Sequence, residues 1–371
     1  MNLLVSGAGI AGLACARELG RRAHTVTLVE QAPALRLAGT PIDIRGDALT
    51  AVDRMGLLPK IREHRIRMSE HTHFVDSAGH PVARLPLAAI SDSDDDIELL
   101  REDLVRILAD ALPDTATIRF GDSIETLDDD GDGVDVRFAS GRTGRYDLVI
   151  GADGQHSTVR RLVFGPGHVR HLGVYLALAA HPGAAGTEEP NAIHTVPGRM
   201  AGLFRYGGKA VAVFQFRSEA IAYDHRDLDA QKEILVGAFA EHRSWRIPEL
   251  LDAALADPAF FLTAASQIHL PTWHRGRTVL VGDAGYSPAF LSGRGTSLAL
   301  TGARFLAEEL EAEELQRADH TAAFARYEAR QRPYAESAQA RAHAGRDRML
   351  PPTWDAITAR DEALVHAEAA R

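Results

Sequence analysis

Asn2-Leu3-Leu4-Val5-Ser6-Gly7-Ala8-Gly9-Ile10-Ala11-Gly12 reads as a short buried strand running into a glycine-rich turn, and Leu13 to Leu19 as the helix that follows. Glycines at a strand-to-helix junction permit a tight turn, let backbone approach a pyrophosphate and allow helix to pack closely on strand. The helix N-terminus meanwhile offers free N–H groups to the anion. The next strand, Thr25 to Val29, ends at Glu30, which is placed to accept hydrogen bonds from adenosine ribose hydroxyls. At this point NAD and FAD are both open, as is a glycine turn without ligand.

Two later segments repeat the pattern of an apolar strand entering Gly-Asp. Tyr146 to Ile150 leads to Gly151-Ala152-Asp153-Gly154, and Arg277 to Val281 leads to Gly282-Asp283-Ala284, followed by Gly293-Arg294-Gly295-Thr296. In an open α/β sheet ligands lie beyond the carboxyl ends of the strands, so three such ends can converge on one elongated molecule. A carboxylate there can hold a ribose or ribityl hydroxyl, although either Asp can instead serve an Asx-turn or a helix cap. Taken together, the three segments predict an FAD site.

On these motifs, over residues 1 to about 335, the sequence resembles the class A flavoprotein monooxygenases, the single-component aromatic hydroxylases related to p-hydroxybenzoate hydroxylase. Its length and compact middle are most similar to the tetracycline-inactivating members. The resemblance implies that Gly7, Gly9, Ala11, Gly12 and Glu30 form the adenosine-diphosphate fingerprint. Asp153-Gly154, with Ser157, Val159 and Arg160, would be the middle motif for FAD and NADPH. It implies further that Asp283 contacts the ribityl chain, that Arg101 reaches the pyrophosphate, and that Gly293, Arg294, Gly295 and Thr296 open a helix facing the flavin pyrimidine edge. Pro288, Phe290 and Leu291 would lie beside the flavin ring as substrate-pocket residues.

The chemistry so implied is reduction of FAD by NADPH or NADH, followed by oxygen transfer from dioxygen through a C4a-hydroperoxyflavin to an aromatic or polyketide-like small molecule. No catalytic side chain is then required. The chain also departs from its relatives. Gln31 stands where many carry Arg, leaving Arg36 and Arg45 as replacements, with Arg45 also a pocket candidate. Gly285, Tyr286 and Arg294 replace other residues, putting a phenol and a cation near the ring. Alternatives are a flavin-dependent dehydrogenase or reductase, a halogenase-like enzyme, and a non-catalytic FAD-binding protein. Against the halogenase, Trp245-Arg246-Ile247-Pro248 does not complete the Trp-x-Trp-x-Ile-Pro motif.

Composition agrees with this reading. At 371 residues, 45% of them hydrophobic, the chain exceeds the ~250–300 residues at which single cores stop growing. A net charge of −10 argues against general nucleic-acid binding. The single cysteine, Cys15, reads as a small buried packing residue. No apolar run approaches the ~18 residues needed to span a bilayer, and the N-terminus lacks the basic region of a signal peptide, so a cytoplasmic protein with no membrane partner is expected. Oligomeric state is left open.

The expected fold is α/β. A discontinuous Rossmann-like FAD-binding domain takes residues 1–70, 97–165 and 270–315, a β-sheet substrate domain 71–96 and 166–269, and a C-terminal helical segment 316–371. In the substrate domain Phe204 and Tyr206, and Phe214 and Phe216, alternate at spacing two, so each pair points to one sheet face. Phe204 and Phe214 are pocket candidates, an ordinary core being the alternative. By resemblance this sheet roofs the isoalloxazine. His71, His73, His194 and His274 are each able in principle to serve as a base, but none is nominated as catalytic. The acidic stretches 92–96 and 128–132 read as solvated turns, and no metal is expected.

Overall fold

Six strands form the sheet that carries the glycine motifs. Their order is His274–Arg275, Thr278–Leu280, Leu148–Gly151, Asn2–Ser6, Thr25–Glu30 and Ala116–Phe120, parallel throughout except at the His274–Arg275 edge. The computed structural model describes residues 1–37, 39–66, 72–85, 92–184, 190–316 and 319–369. Leu3, Leu4, Val5, Val149, Ile150, Val279 and Leu280 are fully buried, as the near-continuous apolar runs of a two-sided parallel sheet require.

Register is what places the site. Val29 and Gly151 both pair with Ser6, and Gly151 pairs in turn with Leu280, so the strands carrying the motifs end at one level. At that level the turns are bonded to each other. Gly7 N–H donates to the Val29 carbonyl (2.7 Å), Ala152 N–H to Ser6 (2.9 Å) and Val281 N–H to Gly151 (2.9 Å). The helix Ile10–Gly20 leaves the first of these turns and packs against Gly295–Gln316, which follows the third after a short helix and loop. Cys15 is completely buried among them, and its thiol pKa is pushed well up by that burial and by Glu18.

The chain folds as two compact units. One comprises Met1–Arg65, Asp95–Arg170 and Ser266–Ala340, the other Ile66–Asp94, His171–Ala265 and Arg341–Arg371. The expected separate segment 316–371 does not stand apart. The boundary falls inside one long helix, His320–Met349, which carries Pro333 in its interior. The second unit contains a seven-stranded sheet, largely antiparallel, in the order Phe261–Ile268, Val169–Ala180, Lys209–Arg217, Arg199–Tyr206, Asn191–Val196, Thr72–Val75 and Pro81–Arg84.

Helices Leu228–Phe239 and Ile247–Ala256 share a core with one face of that sheet. Phe214 lies there edge-on to Phe239 (5.2 Å), and Phe216 stacks on Tyr175 (5.4 Å). This corrects Phe214 as a pocket residue, since it is a fully buried core side chain. Register puts Phe204 on the opposite face, because Ala201 pairs with Phe214 whereas Phe204 pairs with Val211. Toward the other edge, helix Trp354–Ala369 packs on Pro81–Arg84, and Arg360 lies 3.8 Å above the Phe74 ring. Among the described residues no helix is long and apolar enough to cross a membrane, and no group of three acidic, His or Cys side chains could hold a metal.

The first turn yields a paired prediction. A Cβ on Gly12 would lie 1.8 Å from the Gly7 carbonyl oxygen, whereas one on Gly9 meets nothing within 4 Å. Gly12→Ala is therefore expected to cost about 3 kcal/mol of stability and Gly9→Ala under about 1. Thermal denaturation of the two variants checks this, and equal melting temperatures would refute it.

Candidate cofactor site

The phosphate end is built from backbone. The helix Ile10–Gly20 starts at Gly9 with no side-chain cap and no acidic residue in its first turn, so its N-terminal N–H groups and positive dipole end are left for an anion. Gly7 is at φ +98°, where a Cβ would lie 2.6 Å from the Ala152 carbonyl oxygen. Gly282 of the third motif presses on Ala11, its own Cβ position being 2.8 Å from that methyl. Ala11 thus acts through its small size.

Glu30 is 7% exposed, and its two oxygens accept from Ala8 N–H and Ala32 N–H, both at 2.9 Å. The carboxylate is fixed at the level of the phosphate turn with lone pairs left over for a ligand. Arg36 approaches it at 3.4 Å, making Arg36 the cation of this end. Arg101, at the start of helix Arg101–Asp110, donates to the Arg36 carbonyl. Burial lowers the Arg101 pKa, as does Arg36, while Asp283 and Glu30 oppose that shift. Arg101 is therefore within electrostatic reach of both the first and third motifs.

The middle motif is organised around its own helix start, the cap alternative left open for Asp153. Asp153 accepts from Ser157 Oγ, from Thr158 N–H (2.7 Å) and from Val159 N–H (3.1 Å), so it closes the N-terminus of helix Thr158–Phe164. Burial raises its pKa against those bonds. Its contribution is to shape the turn. Arg160, 6% exposed, donates to the carbonyls of Ala284 (2.9 Å) and Gln155 (2.6 Å), tying the middle motif to the third.

Asp283 begins the short helix Asp283–Tyr286 and remains open to solvent, although surrounding protein raises its carboxyl pKa against Ser287, Arg160 and Arg101. A Cβ on Gly295 would lie 3.8 Å from its Oδ1, so the carboxylate borders the start of helix Gly295–Gln316. The loop between holds two left-handed positions, Ala289 (φ 69°) and Gly293 (φ 63°). Pro288 is buried and bridges to Gln267, while Phe290, Leu291, Arg294, Gly295 and Thr296 are half-buried.

Arg45 lies at this same loop and not beside Glu30. Its N–H donates to Ser297 Oγ (3.0 Å), its guanidinium pairs with Asp43 (2.5 Å), and a Cβ on Gly293 would be 3.5 Å from Nη2. Sequence reading missed Asp43 and Ser297. The available signal was the alternation of Asp43 and Arg45 on the strand Pro41–Ile44 and its end, which puts both on one side. The expected phenol near the ring is corrected too. Tyr286 is 1% exposed and directed into helix packing, its hydroxyl 3.0 Å from that of Tyr327 and against Gly302.

Of the histidines, His71 lies outside the described residues. His194 is bonded to the Val75 carbonyl and Ser244 Oγ, and His274 lies 3.8 Å from Glu328. His73 Nδ1 has no partner among the described residues. An uncapped helix start, a free space at Gly9, a fixed carboxylate at Glu30, a bridging Arg101 and an open Asp283 match the successive parts of FAD, so the residues present fit that cofactor.

Comparison with known proteins agrees. Residues 1–342 match the family described as FAD binding domain. An uncharacterised protein of Mycobacterium tuberculosis is 43% identical over 319 residues, covering 84% of this chain and 85% of that protein. A flavin-dependent monooxygenase of Legionella longbeachae is 34% identical over 344 residues, covering 91% and 87%. The crystal structure of tetracycline destructase Tet(55) superposes with a TM-score of 0.85 at 34% identity, over 98% of this chain and 95% of that one. Fold, cofactor-site geometry and relatives converge: the chain belongs to the FAD binding domain family and is an FAD-dependent monooxygenase.

Proposed function

We propose that this enzyme takes two electrons from NADPH or NADH and one atom from dioxygen to oxygenate an aromatic or polyketide-like polycyclic molecule, the second oxygen atom leaving as water. The observation that carries the reading is that the strands leading to Glu30 and Asp283 end at one level, with Arg101 acting electrostatically on both carboxylates, which suits a flavin nucleotide laid across them. Bound FAD supplies the redox chemistry and dioxygen activation at C4a. The protein binds, orients and excludes water. The substrate class is supported by similarity to the tetracycline destructase Tet(55), at 34% identity over nearly the whole chain. Phe290 and Leu291, in one short turn of helix, are half-buried apolar side chains suited to contact with a flat substrate.

The direct test is an absorbance spectrum of the purified protein, then anaerobic NADPH or NADH addition and re-aeration with aromatic and tetracycline-like compounds. Flavin bands that bleach and return, with ¹⁸O from dioxygen entering a product, support the proposal. Bleaching with a product that lacks new oxygen would assign a dehydrogenase instead. Two variants test the site. Asp283→Ala is expected to weaken FAD binding about tenfold or more, the value of one charged hydrogen bond, with the melting temperature of the apoprotein retained. An unchanged FAD titration would remove Asp283 from the site. Glu30→Ala should weaken FAD but spare riboflavin, because the carboxylate serves the adenosine end. Equal losses would contradict that assignment.

A further inference from the structure

Arg45 is a cation the oxygenation scheme leaves without a task. It is 8% exposed, and its Nε has no hydrogen-bond partner among the described residues. Buried guanidinium donors are normally all satisfied, because an unpaired one forfeits its hydration. Its position is specified from two sides. Its own N–H is fastened to Ser297 Oγ in the first turn of helix Gly295–Gln316, and its guanidinium packs over Gly293, two residues before that helix. The helix is 22 residues long and its first N–H groups lack helical acceptors, so the positive end of its dipole meets the guanidinium. Asp283, the third-motif carboxylate, borders the same turn at Gly295.

Asp43 pairs directly with Arg45, and Asp96 and Arg294 in turn act on Asp43. Burial raises the Asp43 pKa, with Arg45 and Arg294 opposing that shift, and the ion pair leaves the Arg45 Nε still without a partner among the described residues. The geometry is that of a seat for one further negative charge.

We propose that Arg45 sets the reduction potential of the bound flavin by stabilising the negative charge gained on two-electron reduction. This rests on the reading above, in which FAD is reduced by a nicotinamide and reoxidised in each cycle. On reduction the flavin takes up two electrons and one proton and retains one negative charge, spread over N1 and the C2 carbonyl of its pyrimidine ring. A buried cation beside a helix N-terminus favours that form over the neutral oxidised one, so it raises the potential. Asp43 moderates the effect. Arg45 is thus a tuning residue and performs no bond-making step.

The test is equilibrium reduction of the FAD-loaded proteins against dyes of known potential. Arg45→Gln should favour the reduced state about tenfold less, which for a two-electron couple lowers the potential by about 30 mV. Arg45→Lys should restore most of the loss, and Asp43→Asn should shift the potential upward. Sulfite, which adds to oxidised flavin and leaves the same charge on the pyrimidine, should bind about tenfold more weakly to Arg45→Gln. Opposite shifts in the Arg45 and Asp43 variants are an electrostatic signature that loosened packing would not produce. A wild-type protein that binds FAD, with potentials unchanged in both variants, overturns this proposal alone. A wild-type protein whose flavin no nicotinamide reduces overturns the proposed function as well.

Discussion

The cofactor site depends on the register of four adjacent parallel strands. Val29, Ser6, Gly151 and Leu280 lie at one level, and backbone hydrogen bonds at that level bind the Gly7 turn to Val29, Ala152 to Ser6 and Val281 to Gly151. A one-residue slip of any strand would exchange its buried and opposite faces and move its turn by about 3.3 Å. The buried aliphatic side chains on both faces therefore fix where the nucleotide can lie. Function at this site is a consequence of core packing.

On that frame the charged and polar groups come in succession from separate elements. The uncapped start of Ile10–Gly20 supplies partial positive charge, Glu30 is fixed by two backbone N–H groups, and Arg101 senses both Glu30 and Asp283. Such a succession suits a long ligand with a diphosphate between two polyols. It does not suit a compact anion, which a single cluster of cations would hold better.

The sequence made the nucleotide fold legible because its constraints are local. A strand, a glycine turn, a helix and an acidic residue at fixed spacing identify themselves without tertiary information. What the sequence could not reveal were contacts made across large separations. Arg45 meets Gly293 and Ser297, about 250 residues on, and nothing near Arg45 in sequence distinguishes that from a place beside Glu30. Asp153 and Asp283 share a Gly-Asp context, yet the first is drawn to its own helix by Ser157, Thr158 and Val159 while the second stays open. Alternation placed Phe204 and Tyr206, and Phe214 and Phe216, on a face each, but only strand register showed that the two faces are opposite.

The same geometry explains where this chain is free to differ from its relatives. At Gly7 and Gly12 an added Cβ would meet backbone carbonyl oxygens at 2.6 and 1.8 Å, and at Gly282 it would meet the Ala11 methyl at 2.8 Å. Backbone cannot yield at those distances, so these positions are closed to other side chains whatever the substrate. Tyr286 is accommodated because Gly302 leaves room for its ring and Tyr327 meets its hydroxyl; a Cβ at Gly302 would lie 2.0 Å from that oxygen. Tyr286 and Gly302 therefore form one packing unit, in which the phenol is taken from the cofactor side and spent on holding the Gly295–Gln316 helix against His320–Met349. A motif position that looks chemical in sequence has here become structural, and the cations at that loop are Arg294, which belongs to it, and Arg45, which reaches it from the end of the strand Pro41–Ile44.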